Sequence, residues 1–138
     1  MNAGSLPGCP PVRSAWYDRS STSWLTQAKA RGCLRIKGYL IVRRNQVRDY
    51  LDVAALADRY GITYAADVLR HIDTYYSDHR GPEPEGVATQ LARQLANPKP
   101  ADARTIGQLG RYKGLDARWT DWGNVTDVCR SLAVEMVQ

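Results

Sequence analysis

The chain has 138 residues, enough for one domain with a single core, since a chain of about 150 residues buries roughly two thirds of its unfolded surface. It is 43% hydrophobic and 24% charged with a mean hydropathy of -0.46, a globular rather than a disordered or membrane-embedded composition. No segment approaches the roughly 20 apolar residues that cross a bilayer, and residues 1–10 do not resemble a signal peptide, so we expect a cytoplasmic protein.

The three cysteines indicate no redox or metal chemistry. Cys9, Cys33 and Cys129 form an odd number, and their spacing matches neither a disulfide framework nor a CxxC metal pair. We expect free thiols. Cys129 falls on an apolar helical stripe, which predicts a small core residue.

The net charge of +5 has a local source between residues 31 and 48. This segment contains six basic residues and no acidic one, a field that attracts phosphate groups: Arg31, Arg35, Lys37, Arg43, Arg44 and Arg48. The segment suggests a nucleotide or nucleic acid as partner. A solvated helix face, or a surface that another protein covers, explains the pattern equally well.

The first part of the chain shows no periodicity. Residues 1–23 are rich in Gly, Pro and Ser, so we expect a flexible N-terminal arm. Residues 34–43 fit a helix or a strand, and we favour a helix. Asn45 is a possible N-cap for the helix that follows.

Two amphipathic helices follow the arm. Residues 46–60 carry one apolar face, and Gly61 is a C-terminal stop. Thr63 is a possible cap for the next helix, whose stripe consists of Ala65, Val68, Leu69, Ile72, Tyr75 and Tyr76.

The second half adds two more helices. A Gly- and Pro-rich loop at residues 81–86 precedes a helix with Val87, Leu91 and Leu95 inward, which ends before Pro98 and Pro100. Residues 101–118 contain glycines that weaken a helix. Thr120 or Asp121 caps a last helix, with Val125, Val128, Cys129, Leu132 and Met136 on one face. These patterns predict a mainly α fold, a bundle of five to six helices with a flexible N-terminal arm.

The densest group of charged residues is Arg48, Asp49 and Asp52. On a helix these side chains share one flank and can pair or hold a cation jointly. A carboxylate at Asp52, among apolar neighbours, would need a partner such as Lys37 or an arginine. Spacing alone favours a structural ion pair over a binding site.

Other chemical motifs are weak. His71, Asp73 and His79 suggest a metal site, but they need not converge, and we expect no metal there. Trp119, Trp122 and the tyrosines could stack bases, although aromatic residues at helical spacing more often fill a core.

The segment Leu34 to Leu56, LRIKGYLIVRRNQVRDYLDVAAL, resembles the C-terminal half of the AbiEii-type abortive-infection nucleotidyltransferase toxins. Those proteins have a lysine segment followed by an Arg-Asp-x-x-Asp helix, and residues 114–122 also look similar to actinobacterial members. The resemblance covers about residues 34 to 137. It divides the chain into a poorly ordered, unrelated leader at 1–33 and a helical domain at 34–138.

The resemblance implies a nucleotide site whose candidate residues are Lys37, Arg48, Asp49 and Asp52. In it Lys37 would contact the phosphates, Asp49 would lie near the site and Asp52 would be structural. It also implies magnesium and a nucleoside triphosphate as cofactors, held in the family by an Asp-x-Asp pair in the N-terminal half. This chain contains no Asp-x-Asp, so the catalytic half is absent and we expect no cofactor and no enzymatic activity of the chain alone.

The sequence therefore predicts a truncated relative of a nucleotidyltransferase toxin that retains weak nucleotide binding. Its expected partners are a nucleotide or RNA and an antitoxin or separate catalytic half, with no membrane. Two alternatives stay open. One is a basic helical nucleic-acid-binding module using Arg31, Arg35, Arg43 and Arg44, and the other is a structural or regulatory protein-interaction domain.

Overall fold

A computed structural model describes residues 27–76, 85–111, 115 and 117–138. Over these ranges the chain forms five α-helices and no strand: α1 (Gln27–Arg44), α2 (Val47–Tyr60), α3 (Ile62–Arg70), α4 (Val87–Ala96) and α5 (Trp122–Met136). Three 3₁₀ segments, Ile72–Thr74, Ala103–Arg111 and Ala117–Thr120, join them. The mainly α fold of five to six helices is confirmed. The predicted arm at 1–23 lies outside the described residues.

The helices enclose one core. Helix α1 packs on α2, α3 and α4, and α5 packs on the same three helices. Each helix buries its apolar face in this way, the usual solution for amphipathic helices. The predicted boundary between 33 and 34 falls inside α1, and Ala30 and Cys33 are buried with the residues that follow them.

The connection between α1 and α2 differs from the expected N-cap. Asn45 has a left-handed backbone (φ 52°) and ends α1, and Gln46 precedes α2 without a side-chain cap. The carboxylate that accepts the backbone N–H of Val47 is instead Asp102 Oδ1, at 2.8 Å. Asn45 is therefore wrong as the cap, because a residue distant in sequence satisfies the exposed donor.

Gly61 ends α2 as predicted, with φ 106°, a conformation that favours glycine. The cap assigned to Thr63 is wrong, because α3 already begins at Ile62 and shows no side-chain cap. The stripe predicted beyond α3 is only partly buried. Ile72 is in the core, whereas Tyr75 is exposed after the short 3₁₀ segment.

Helices α4 and α5 follow the predictions. Val87, Leu91 and Leu95 are buried, and the Asp121 carboxylate caps α5 by accepting the Gly123 N–H at 2.9 Å. All five residues of the predicted α5 stripe are buried as well.

A close helix contact depends on a glycine in α1. A Cβ at Gly38 would lie 2.9 Å from Leu69 Cδ2 and 3.0 Å from Leu91 Cδ2. The missing side chain is therefore what lets α1 approach α3 and α4. No helix in the described ranges is long and apolar enough to cross a membrane.

Candidate functional site

A buried ion pair joins α1 to α2. Lys37 Nζ lies 2.9 Å from Asp52 Oδ2, and both side chains have no exposed surface. The sequence placed Lys37 on a partly apolar face, and the structure explains this, since the ammonium group meets a carboxylate inside the core. In this conformation neither side chain reaches a ligand at the surface, and the pair holds the two helices together.

A second ion pair lies at the end of α1. Arg44 donates from Nε and Nη2 to the two carboxylate oxygens of Asp49, each at 2.8 Å, and Asp49 is fully buried. The hydrogen bond to Asp49 raises the pKa of Arg44. Nearby, Nε of Arg48 is buried and has no hydrogen-bond partner within the described part of the chain. The residues predicted to bind a nucleotide thus lie near one another, but mainly as internal ion pairs.

The four arginines predicted to contact nucleic acid do not form one surface. Arg31 and Arg35 line a shallow hollow of about 340 Å³ with Tyr64 and His71, and Arg35 lies 3.9 Å above the ring of Tyr75. Arg43 and Arg44 are at the other end of α1, about 12 Å away at 1.5 Å per residue. Arg44 is also occupied by Asp49, so the basic segment divides into two separate ends.

The histidine, aromatic and cysteine motifs do not form a ligand site within the described residues. In the described ranges no group of three His, Cys, Asp or Glu residues is placed to hold a metal ion, and His79 lies outside those ranges. Trp119 is buried, and the ring of Trp122 meets Tyr50 edge-on at 6.0 Å. Burial raises the pKa of Tyr50 to about 12 and that of the Cys129 thiol to about 12. Cys33 and Cys129 are both buried.

A groove lies between α4 and α5 in the described part of the chain. It has a volume of about 690 Å³ and a mainly apolar lining: Ala88, Ala92, Ala96, Ala133, Val134, Met136 and Val137, with Thr89. Val134 and Val137 are exposed by 54% and 74%. An exposed apolar groove of this kind is a candidate binding site.

Three arginines line this groove, one from each adjoining helix. Arg70 ends α3 and donates to the carbonyl oxygen of Glu135 at 2.9 Å, and Arg93 of α4 pairs with the Glu85 carboxylate. Arg130 of α5 is the third. No acidic side chain is part of the lining, so the groove combines an apolar floor with a positive edge.

The sequence prediction missed this groove. Its signal was present in Ala88, Ala92 and Ala96, which repeat every four residues beside the inward stripe of α4. Small residues at that spacing leave room on one helix face. Only the packing of α5 against α4, however, shows that no other side chain of the described residues fills this space.

Comparison with known proteins places the chain beside transport proteins. It is 43% identical, over 105 residues, to the "Mycolic acid-containing lipids exporter MmpL11" of Mycolicibacterium smegmatis, and 42% identical over the same length to the "Heme uptake protein MmpL11" of Mycobacterium tuberculosis. Each alignment covers 76% of the chain and 10% of the relative. The "Probable transport protein MmpL11" of Mycobacterium leprae is 32% identical over 136 residues, 94% of the chain and 12% of the relative.

These relatives correct the interpretation of the sequence. The resemblance to AbiEii-type toxins is wrong, and with it the expected nucleotidyltransferase-like function and the toxin–antitoxin partners. The prediction of no membrane partner is also wrong, because lipid exporters and uptake proteins act at membranes. The relatives support neither the nucleic-acid-binding module nor the protein-interaction alternative. Magnesium and a nucleoside triphosphate were expected only from that resemblance, so nothing now supports them as cofactors.

No protein-family model and no solved structure matches the chain. The similarity therefore rests on sequence alone, and it concerns a short piece of long proteins. Over most of its own length the chain is similar to MmpL11 transport proteins, of whose length it spans about a tenth.

Proposed function

We propose that the chain functions as a helical module of an MmpL11-like transport protein, outside the part that crosses the membrane. The observation that carries the proposal is the 43% identity over three quarters of the chain to a protein named as a lipid exporter. The single core and the absence of a spanning helix among the described residues agree with such a module.

The module would lie on the cytoplasmic side of the membrane. Its net charge of +5 supports this, since basic segments near spanning helices are retained in the cytoplasm, where anionic lipids attract them. The buried thiol of Cys129, which forms no disulfide with the described residues, suits a reducing compartment.

A segment exchange tests the transport role. In the M. smegmatis exporter, the segment aligned with this chain is either deleted or replaced by the chain, and surface mycolic-acid-containing lipids are measured. The replacement should restore export relative to the deletion. The same replacement carrying Lys37→Met should export less, because its core is destabilised, whereas Arg104→Gln at an exposed position should not. A replacement protein present at the normal membrane level that exports no better than the deletion contradicts the proposal.

The side of the membrane is tested separately. A cysteine is introduced at the exposed Gln108 of the replacement protein in a Cys9→Ser background, and cells are treated with a charged, membrane-impermeant thiol reagent. Labelling that requires permeabilised cells supports the cytoplasmic placement. Equal labelling of intact cells would reverse it.

A further inference from the structure

We propose that the groove between α4 and α5 binds an amphipathic carboxylate with a long, unbranched acyl chain. The chain would lie along the alanine floor, and the carboxylate would pair with the guanidinium group of Arg130. This inference rests on the groove and needs no transport function, so its test and the segment exchange can fail independently.

The apolar part of the groove fits an aliphatic chain. Four alanines line the groove, and their methyl groups leave a trough between the larger apolar side chains Val134, Met136 and Val137. Among described residues, Val134 and Val137 are two of the three strongly exposed large hydrophobic side chains, and both line the trough. A volume of about 690 Å³ lies within the range of roughly 300–1,000 Å³ that is usual for small-molecule sites.

The charges select an anion. Arg93 already pairs with Glu85, and Arg70 donates to the Glu135 carbonyl oxygen, so both charges are partly engaged at the edge. Arg130, by contrast, forms no salt bridge with any residue in the described ranges. A guanidinium group offers two parallel N–H donors to a carboxylate, which makes Arg130 the natural partner of the head group.

The lining argues against a more elaborate ligand. A nucleotide would need many polar donors, whereas Thr89 is the one uncharged polar side chain of the lining. A haem iron would need an axial ligand, and the lining offers only the buried Met136, with no His, Cys or Tyr. A simple aliphatic carboxylate satisfies both the trough and the arginine.

Calorimetric titration of the full chain with octanoate, decanoate and dodecanoate is the first test. Affinity should rise about two- to fourfold for each added methylene, because each buried methylene adds hydrophobic binding energy. Decanoate should bind at least about threefold more tightly than 1-decanol and far more tightly than decyltrimethylammonium, since the head group meets arginines.

Matched variants locate the site. Arg130→Gln should weaken decanoate binding about three- to tenfold, as expected for a partly exposed charge-assisted pair. Ala92→Phe should abolish binding by filling the trough, with folding checked by circular dichroism. Arg104→Gln, an exposed arginine outside the groove lining, should leave binding unchanged.

Three results would overturn the proposal. One is no binding of any carboxylate at millimolar concentration. Another is equal binding of the carboxylate and the ammonium detergent, or binding that Arg130→Gln and Ala92→Phe leave intact. The third is hemin binding that Ala92→Phe abolishes in a chain that does not bind the aliphatic acids, which would identify a different ligand class.

Discussion

Replacing Lys37 with methionine removes the positive charge of the buried ion pair with little change in side-chain volume. The substitution leaves the Asp52 carboxylate inside the core without the ammonium group that now lies 2.9 Å away. Breaking one side of such a pair costs about 3–5 kcal/mol. A domain of this size has only about 5–15 kcal/mol of unfolding free energy, so roughly a fifth of the stability or more should be lost.

The double variant separates the pair from the general loss of packing. Asp52→Val should cost a similar amount, because it strands the ammonium group of Lys37. Lys37→Met combined with Asp52→Val buries two apolar side chains instead of two charges, and such replacements are often neutral or stabilising. We therefore expect the unfolding free energy of the double variant to lie within about 2 kcal/mol of that of the unaltered chain. Its loss of stability is then much smaller than the sum of the two single losses.

Urea unfolding followed by circular dichroism at 222 nm measures these differences, with an unchanged dependence on urea as the check that folding stays two-state. Arg93→Met is the control, because its ion pair with Glu85 is exposed and should be worth less than about 1 kcal/mol. The argument that Lys37 and Asp52 depend on each other would be refuted by either of two results. One is a loss of unfolding free energy below about 1 kcal/mol in each single variant, and the other is a loss in the double variant equal to the sum of the single losses.

Two further predictions concern packing and ionisation. Gly38→Ala should destabilise the chain by about 1–3 kcal/mol, because the added Cβ would lie 2.9 Å from Leu69 Cδ2. Gly32→Ala should instead stabilise α1 by about 0.5–1 kcal/mol in the same urea assay, because a Cβ there meets nothing within 4 Å. Burial raises the pKa values of Cys129 and Tyr50 to about 12, so as the pH rises the unfolded chain releases these protons before the folded chain does. The unfolding free energy should therefore fall as the pH rises above about 9. The fall is at most about 1.4 kcal/mol per pH unit for each group. Cys129→Ala should make that decline shallower, and an identical slope would contradict the assigned cause.

Hydrophobic spacing determined most of the fold. The stripes of α2, α4 and α5 were readable because an amphipathic helix repeats its apolar residues every three to four positions, whatever it packs against. Gly61 and Asp121 were readable for the same local reason, since a left-handed stop and an N-cap depend only on neighbouring backbone. The family resemblance had no such basis, because a short motif of common charged residues recurs in unrelated helices.

The tertiary structure decided what the charged and small residues do. Only the approach of α1 to α2 makes Lys37 a buried partner of Asp52 rather than a surface contact for phosphate. The donor at the start of α2 finds Asp102 from a distant segment, which no local cap signal could indicate. The groove beside Ala92 likewise exists only because α4 and α5 pack together, since a cavity is a property of two helices and a sequence pattern describes one.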